Sequence, residues 1–332
     1  MITELTAATG DLAPRLVTLL DSVEERITIQ ARHGEPDVNE LTSHLVAAGG
    51  KRLRPALCLL TSFLGPDGGN EEAEISAAVV ELTHLATLYH DDVMDEAPMR
   101  RGVPSVQRLA GNSAAILSGD ILFAQASSLM AQLGPTAVIL HAQTFERLCY
   151  GQLRETLGPR AGDGQRDHYV RVLADKTGSL IAASARYGVR AAGGSDKDEA
   201  AVAEFGERVG VAFQIADDVI DIMSDHEVTG KTPGTDLREG VETMPIILLK
   251  EARDEGRLDK HGAEILDLLA NRDDKNVDRA VDLLRSHEVM NEVTELARSW
   301  SNDAVAALTP IPEGPVKSGL VAFARLMVDR IN

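Results

Sequence analysis

Two short stretches, DDVMD at residues 91–95 and DDVID at residues 217–221, each put three aspartates into five positions. Three like charges in so short a span repel one another. Aspartate is also a poor residue for a helix interior or C-terminal end, where the helix dipole opposes it. Something must offset that cost. A hard divalent cation with oxygen ligands does so, and magnesium typically takes one or two carboxylates together with substrate phosphates. Alone, the first stretch reads equally well as a solvated acidic helix end. The second shifts the balance, because its flanks are apolar (FQIADDVIDIM) and a bare buried carboxylate is costly. Asp91, Asp92, Asp95, Asp217, Asp218 and Asp221 are therefore the candidate ligands for several magnesium ions acting on an organic diphosphate.

A diphosphate site also needs positive partners. The segment GGKRLRP (Gly49 to Pro55) sets Lys51 and Arg54 after a Gly-Gly pair at the start of an apolar run. Cations beside backbone amides at a helix N-terminus suit a phosphate. Arg100 and Arg101 follow the first cluster, Lys176 and Thr177 lie in LADKTGSL, and Lys231 lies shortly after the second cluster. Each cation alone reads as an ordinary surface charge. Their recurrence around both clusters is what a bound diphosphate would require. The string Gly230-Lys231-Thr232 does not make a P-loop: Asp225 stands where the first glycine is needed, and no strand precedes it.

The elements that must position these residues read as helices. Only 3% of the 332 residues are aromatic, and alanine and leucine dominate a hydrophobic fraction of 44%, a composition that favours helix over strand. Ser76 to Ala97 forms one helix candidate, closed by Pro98. On it Asp91 and Asp95 are one turn apart on one face, with His84 and Thr87 above them. Glu204 to Ser224 forms another, with Gln214, Asp217 and Asp221 on one stripe. Gly206 and Gly210, one turn apart, leave room for a neighbouring helix. Facing helices of a bundle would make the two clusters two walls of one cavity. Loops fall at Gly65–Asn70, Gly158–Gln165 and Gly193–Asp198, with a longer polar stretch from Asp225 to Glu242. None is long enough to join separate domains, so the expectation is one all-α domain over residues 1–332.

A formal charge of −19 argues against a nucleic-acid partner. The two cysteines, Cys58 and Cys149, sit in apolar helix-like stretches and read as buried free thiols. No signal peptide is visible, and no apolar run approaches the roughly 20 residues needed to span a bilayer. A cytoplasmic location is expected.

In order along the chain, GGKRLRP, ELTHLATLYHDDVMDEAPMRRG, LSGDILFA, the Lys176-Thr177 pair, FQIADDVID and GKTPGTDLREG resemble the all-trans isoprenyl diphosphate synthase (polyprenyl synthetase) family. Several independent motifs in register make the resemblance specific, and it covers most of the chain. It implies a bundle of ten or more helices around a central substrate cavity, usually in a homodimer. It also implies magnesium-dependent condensation of isopentenyl diphosphate with an allylic diphosphate to give a trans-polyprenyl diphosphate. By that resemblance the aspartates ligate magnesium on the allylic diphosphate, and Arg100, Lys176 and Lys231 contact it. Lys51, Arg54, His84 and Arg101 hold isopentenyl diphosphate, while Thr177 and Gln214 steady the allylic end. The family often has lysine after DLREG; here Val241 stands there, so no phosphate contact is expected from that position.

Ala86, five residues before Asp91, lies where the family tends to place a bulky aromatic when products are short. The residues continuing downward, Thr83, Leu82 and Val79, are small or medium, so a deep tunnel and a geranylgeranyl or longer product are expected. A floor set by Phe123 or Met130 is the alternative. A terpene cyclase would need neither the second full motif nor the Lys51/Arg54 site. A non-catalytic subunit of a heteromeric synthase would be expected to have eroded one cluster, and a plain helical scaffold leaves both unexplained.

Overall fold

The computed structural model describes residues 2–224 and 233–331. Helices make up most of it: α1 (Ile2–Ala7), α2 (Ala13–Ala31), α3 (Pro36–Ala47), α4 (Leu53–Ser62), α5 (Glu71–Met94), α6 (Val106–Ala110), α7 (Asn112–Gln132), α8 (Pro135–Leu157), α9 (Gln165–Leu173), α10 (Ser179–Ala191) and α11 (Asp196–Met223). After them come α12 (Thr235–Glu239), α13 (Met244–Asp254), α14 (Lys260–Ala270), α15 (Asp274–Ser286), α16 (Glu288–Ala307) and α17 (Pro315–Val328). The all-α expectation holds. Among the described residues the sole sheet is a two-residue hairpin, Met99–Arg100 against Val103–Pro104.

The chain groups into two compact units. The first comprises residues 1–146, 180–206 and 307–323, and the second residues 147–179, 207–306 and 324–332. Within the first, α5 is the central helix. Asn70 caps it by accepting from the Ala73 N–H at 2.9 Å, and Glu71, Glu72 and Glu74 complement the dipole in its first turn. The helix therefore begins five residues before the Ser76 expected from sequence. Ala77, Val79, Val80, Leu82, Leu85 and Ala86 are all 0% exposed, so α5 is apolar nearly all round, as a helix enclosed by others must be. Burying each of its larger aliphatic side chains contributes about 1.5–3 kcal/mol.

Helix α5 stops at Met94, three residues short of Ala97. Glu96 takes a left-handed φ of 49°, and the Ala97 N–H reaches back to the Asp92 carbonyl at 3.0 Å. This is a Schellman ending, with glutamate where glycine is usual. The hairpin follows at once. Its two turn residues, Arg101 (φ 53°) and Gly102 (φ 80°), both lie at positive φ, as a tight two-residue hairpin demands.

In the second unit, Val211, Ile215, Val219 and Ile222 form the buried stripe of α11. They pack with Met244, Ile246, Val277, Leu284 and Val293 from α13, α15 and α16. Residues 174–178, between α9 and α10, form a single π turn. Such wide turns are rare and recur at functional sites. It carries Lys176 and Thr177, and no compositional feature of the segment marks it. The π turn and α11 meet closely: a Cβ on Gly210 would stand 2.4 Å from the Gly178 Cα. Gly206 does the same in the first unit, where a Cβ would stand 2.6 Å from the Ala182 Cα. Both glycines thus leave room for a neighbouring helix.

Two further expectations are corrected. Cys149 is exposed, whereas Cys58 is buried as expected; α8 turns Cys149 outward together with Tyr150. Helix α7 is long and apolar enough by length and composition to cross a membrane. Its Ala115, Gly119, Leu122, Ala126 and Met130 are nevertheless buried inside the first unit.

Candidate active site

In the first unit the aspartate cluster occupies the C-terminal turn of α5. The Asp95 N–H donates to the Asp91 carbonyl at 2.8 Å, so the helical register carries both side chains onto one face. Asp91 is half-buried and Asp95 exposed. Asp92 differs. It is 1% exposed, and its Oδ1 accepts from the Arg100 Nε at 2.6 Å. Burial raises its pKa while the Arg100 guanidinium lowers it, and burial is the larger influence. The hairpin fixes this pair by folding Arg100 back over the end of α5.

Arg54, His84 and Arg101 belong to one cationic group, together with Arg52. Burial, followed by the charges of Arg54, Arg101, Arg100 and Arg52, holds His84 well below the ordinary imidazole pKa, so the ring is neutral. The Arg54 Nε is buried and finds no hydrogen-bond partner among the described residues. A buried donor without an acceptor is costly, and it marks where an anion fits. Lys51 lies exposed in the loop before α4.

Two residues here escaped sequence reasoning. Glu81, 2% exposed, takes the Arg52 Nη1 at 2.8 Å. Arg52 also binds Glu24 through two nitrogens, at 2.5 and 2.7 Å. One signal was available: Glu81 is an acidic residue in an otherwise apolar stretch (AAVVELTHLA), one turn before His84.

In the second unit Asp217, Asp221 and Gln214 are half-buried on α11. Asp217 pairs with Arg330 at 2.9 Å, and the Arg330 guanidinium lies over the Phe213 ring at 5.0 Å. Asp221 accepts from the backbone N–H groups of Thr235 and Asp236 at 3.2 and 3.3 Å, joining α11 to the start of α12. Asp218 is 4% exposed and receives the Tyr169 hydroxyl on both oxygens and the Met244 N–H at 3.0 Å. Burial is the main cause holding its pKa well above the carboxylate range. On the π turn, Lys176 pairs with Glu155 at 2.5 Å, and Thr177 is buried. Lys231 lies outside the described residues. Val241 lines an open crevice with Lys250, Arg253 and Arg272, so cations stand near the position where the family often has lysine.

The oxygen donors suit a hard cation, although Asp92 and Asp218 already have protein partners. Among the described residues no three His, Cys, Asp or Glu side chains gather closely enough to hold a metal. Asp92 and Asp218, both expected as ligands, turn into the protein: one neutralises Arg100, and the other ties Tyr169 to the N-terminus of α13. Each cluster still offers a pair of less buried carboxylates, which is the number magnesium takes when phosphates complete its shell.

Comparison with known proteins places this arrangement. The polyprenyl synthetase family model matches residues 35–284. A nonaprenyl diphosphate synthase from Mycobacterium tuberculosis is 41% identical over 310 residues, covering 93% of this chain and 91% of that protein. A geranylgeranyl pyrophosphate synthase from Corynebacterium glutamicum, solved with calcium and isoprenyl diphosphate, superposes with a TM-score of 0.85 at 40% identity. That match covers 97% of this chain and 98% of that one. A decaprenyl diphosphate synthase from Rhodobacter capsulatus superposes with a TM-score of 0.86 at 30% identity, covering 98% and 99%. With its motifs in order and its length matched almost end to end, the chain belongs to the polyprenyl synthetase family and is a prenyltransferase.

Proposed function

We propose that this prenyltransferase elongates an allylic diphosphate with isopentenyl diphosphate, and that its two aspartate clusters serve the departing diphosphate through magnesium. The observation that carries the reading is the repetition, on α5 and on α11, of two less buried carboxylates one helical turn apart: Asp91 with Asp95, and Asp217 with Asp221. The calcium and isoprenyl diphosphate bound by the Corynebacterium relative support divalent-metal use here. Magnesium, when bound, supplies positive charge to the diphosphate as it leaves the allylic carbon.

The chain's own residues do the rest. Arg100, held by Asp92, and Lys176 and Lys231 contact the allylic diphosphate, with Thr177 and Gln214 at the allylic end. Lys51, Arg54, His84 and Arg101 grip isopentenyl diphosphate so that its double bond meets the allylic carbon, removing much of the entropic barrier. Neutral His84 donates a hydrogen bond without adding charge. The released diphosphate takes the final proton. Asp92 and Asp218 are positioning residues in this scheme.

The product is geranylgeranyl or longer, because Ala86 on α5 offers no bulk. Phe123, one turn beyond Gly119 on α7, stacks on His141 at 5.3 Å and meets Phe145 in a tilted pair at 3.8 Å between ring centroids, a bulky cluster that suits a floor. The family match runs through both compact units, which supports reading the chain as one functional domain. The exposed Ile116 and Leu117 of α7 and Ile139 of α8 support a homodimer. Two unpaired thiols support a reducing, cytoplasmic location.

The purified protein, magnesium and labelled isopentenyl diphosphate, incubated with each primer from dimethylallyl to geranylgeranyl diphosphate, should yield chromatographically resolved products. No incorporation with any primer would sink the reading and favour a partner-dependent subunit.

A further inference from the structure

Glu81 has no place in the scheme above, yet it sits at the centre of the cationic group. Its carboxylate, 2% exposed, lies 2.8 Å from the Arg52 Nη1 and 3.5 Å from the Arg101 Nη2. Arg52 is anchored from the far side by Glu24, and Arg101 donates to the backbone carbonyls of Leu45 and Gly49. The two guanidiniums press on the Gly-Gly loop itself: a Cβ on Gly50 would stand 2.7 Å from the Arg52 Nη1 and 2.9 Å from the Arg101 Nη1. Arg52 and Arg101 each adopt a left-handed backbone, with φ of 48° and 53°. Two strained residues thus converge on one buried carboxylate, with both guanidiniums packed against Gly50.

Like charges so close together separate unless something holds them. Arg52 spends its donors on Glu24 and Glu81, so it is a strut and not a substrate ligand. Arg101 keeps Nη2 on Glu81 and donates from Nη1 to two backbone carbonyls, which fixes the direction of its guanidinium. The Arg54 Nε is left with no partner among the described residues.

We infer that Glu81 is a positioning residue: by clamping Arg52 and Arg101 it sets the spacing of the Arg54–His84–Arg101 group to that of the diphosphate of isopentenyl diphosphate. This rests on assigning that group to isopentenyl diphosphate. The opposing effect is electrostatic, because deleting a negative charge here raises the local attraction for an anion. The two effects predict opposite changes, so the sign of the outcome decides.

The test is steady-state kinetics with both substrates varied, on Glu81→Gln, Glu81→Asp and Arg54→Gln, beside thermal melts. Glu81→Gln is expected to raise KM for isopentenyl diphosphate about tenfold while KM for the allylic primer stays within about twofold, and Glu81→Asp to recover part of the loss. An unchanged or lowered KM for isopentenyl diphosphate, or an equal rise for both substrates, overturns the inference. Arg54→Gln separates the two levels. If it leaves that KM untouched, the substrate assignment fails and the inference falls with it. If it raises the KM where Glu81→Gln does not, only the positioning role fails. Should Glu81→Gln not fold, Glu24→Gln loosens the same strut from its half-exposed end; a rise of about threefold for isopentenyl diphosphate alone supports the inference, and no rise overturns it.

Discussion

The Tyr169 hydroxyl lies 2.9 and 2.8 Å from the two carboxylate oxygens of Asp218. Asp218 stands within the DDVID motif, yet its nearest partners are a phenol and the Met244 N–H. Replacing it with alanine leaves both donors unpaired in the interior and should cost about 2 kcal/mol of stability. Asp218→Asn keeps an acceptor and removes the charge. Because burial raises the Asp218 pKa in the fold, its contribution to stability falls as pH rises through that folded value. The asparagine variant should therefore melt no lower than the parent at neutral pH. Asp217→Asn should reduce magnesium-dependent turnover far more than Asp218→Asn; the reverse order would return Asp218 to the metal.

Gly210 packs against the π turn with no space for a methyl group. The atom in the way is the backbone Cα of Gly178, which cannot swing aside. Gly210→Ala should lower stability by about 2 kcal/mol, read by urea denaturation. Because the π turn carries Lys176 and Thr177, turnover should drop as well. A variant of unchanged stability would mean the turn moves easily.

His141 is 4% exposed, and burial pushes its pKa down to about 4. The unfolded chain binds a proton there near pH 6.5, whereas the fold refuses it until about pH 4. Acidification through that window therefore favours the unfolded state, by about 3 kcal/mol at the low end. Denaturant melts between pH 4.5 and roughly 7 should show the parent losing stability faster than His141→Phe. Parallel curves for the two proteins would contradict this.

Ala86 is fully buried, and the Ala86 carbonyl oxygen would lie 3.0 Å from a Cβ on Gly119. Under the proposed tunnel, a phenylalanine at 86 would project into the space the growing chain uses. Ala86→Phe should shorten the product by at least one isoprene unit, and Phe123→Ala should lengthen it, both read by chromatography of dephosphorylated products. A product unchanged in Ala86→Phe and longer in Phe123→Ala would assign the floor to α7 and α8 alone.

Much of this was legible in the residues. Helix class, the order of motifs and the i, i+4 phasing of Asp91 with Asp95 follow from local periodicity, which a single chain displays directly. What stayed hidden depends on contacts between distant positions. Asp92 and Asp218 carry the same letters as their neighbours, and nothing local says that one meets Arg100 and the other meets Tyr169, 49 residues away. The π turn has no compositional mark, since it arises where α8, the turn and α11 crowd together through Gly151 and Gly210. The hairpin after Pro98 leaves no strand pattern in the sequence, because its strands are two residues long. Glu81 stands out as one acid in an apolar stretch, but its partners Arg52 and Arg101 lie 29 and 20 residues away and no local pattern points to them.

Among the described residues, three non-glycine positions hold a left-handed backbone: Arg52, Glu96 and Arg101. For any effort to make this enzyme more robust, they are not equivalent. Glycine would relieve the backbone at each, by about 0.5–1 kcal/mol. At Glu96, whose side chain the proposed chemistry does not use, that relief comes at no expense to turnover. At Arg52 and Arg101 the same change removes a guanidinium from the group around Glu81. Evolutionary or laboratory stabilisation is thus open at the end of α5 and closed at the two arginines, where tension in the main chain and grip on the Glu81 carboxylate are the same feature.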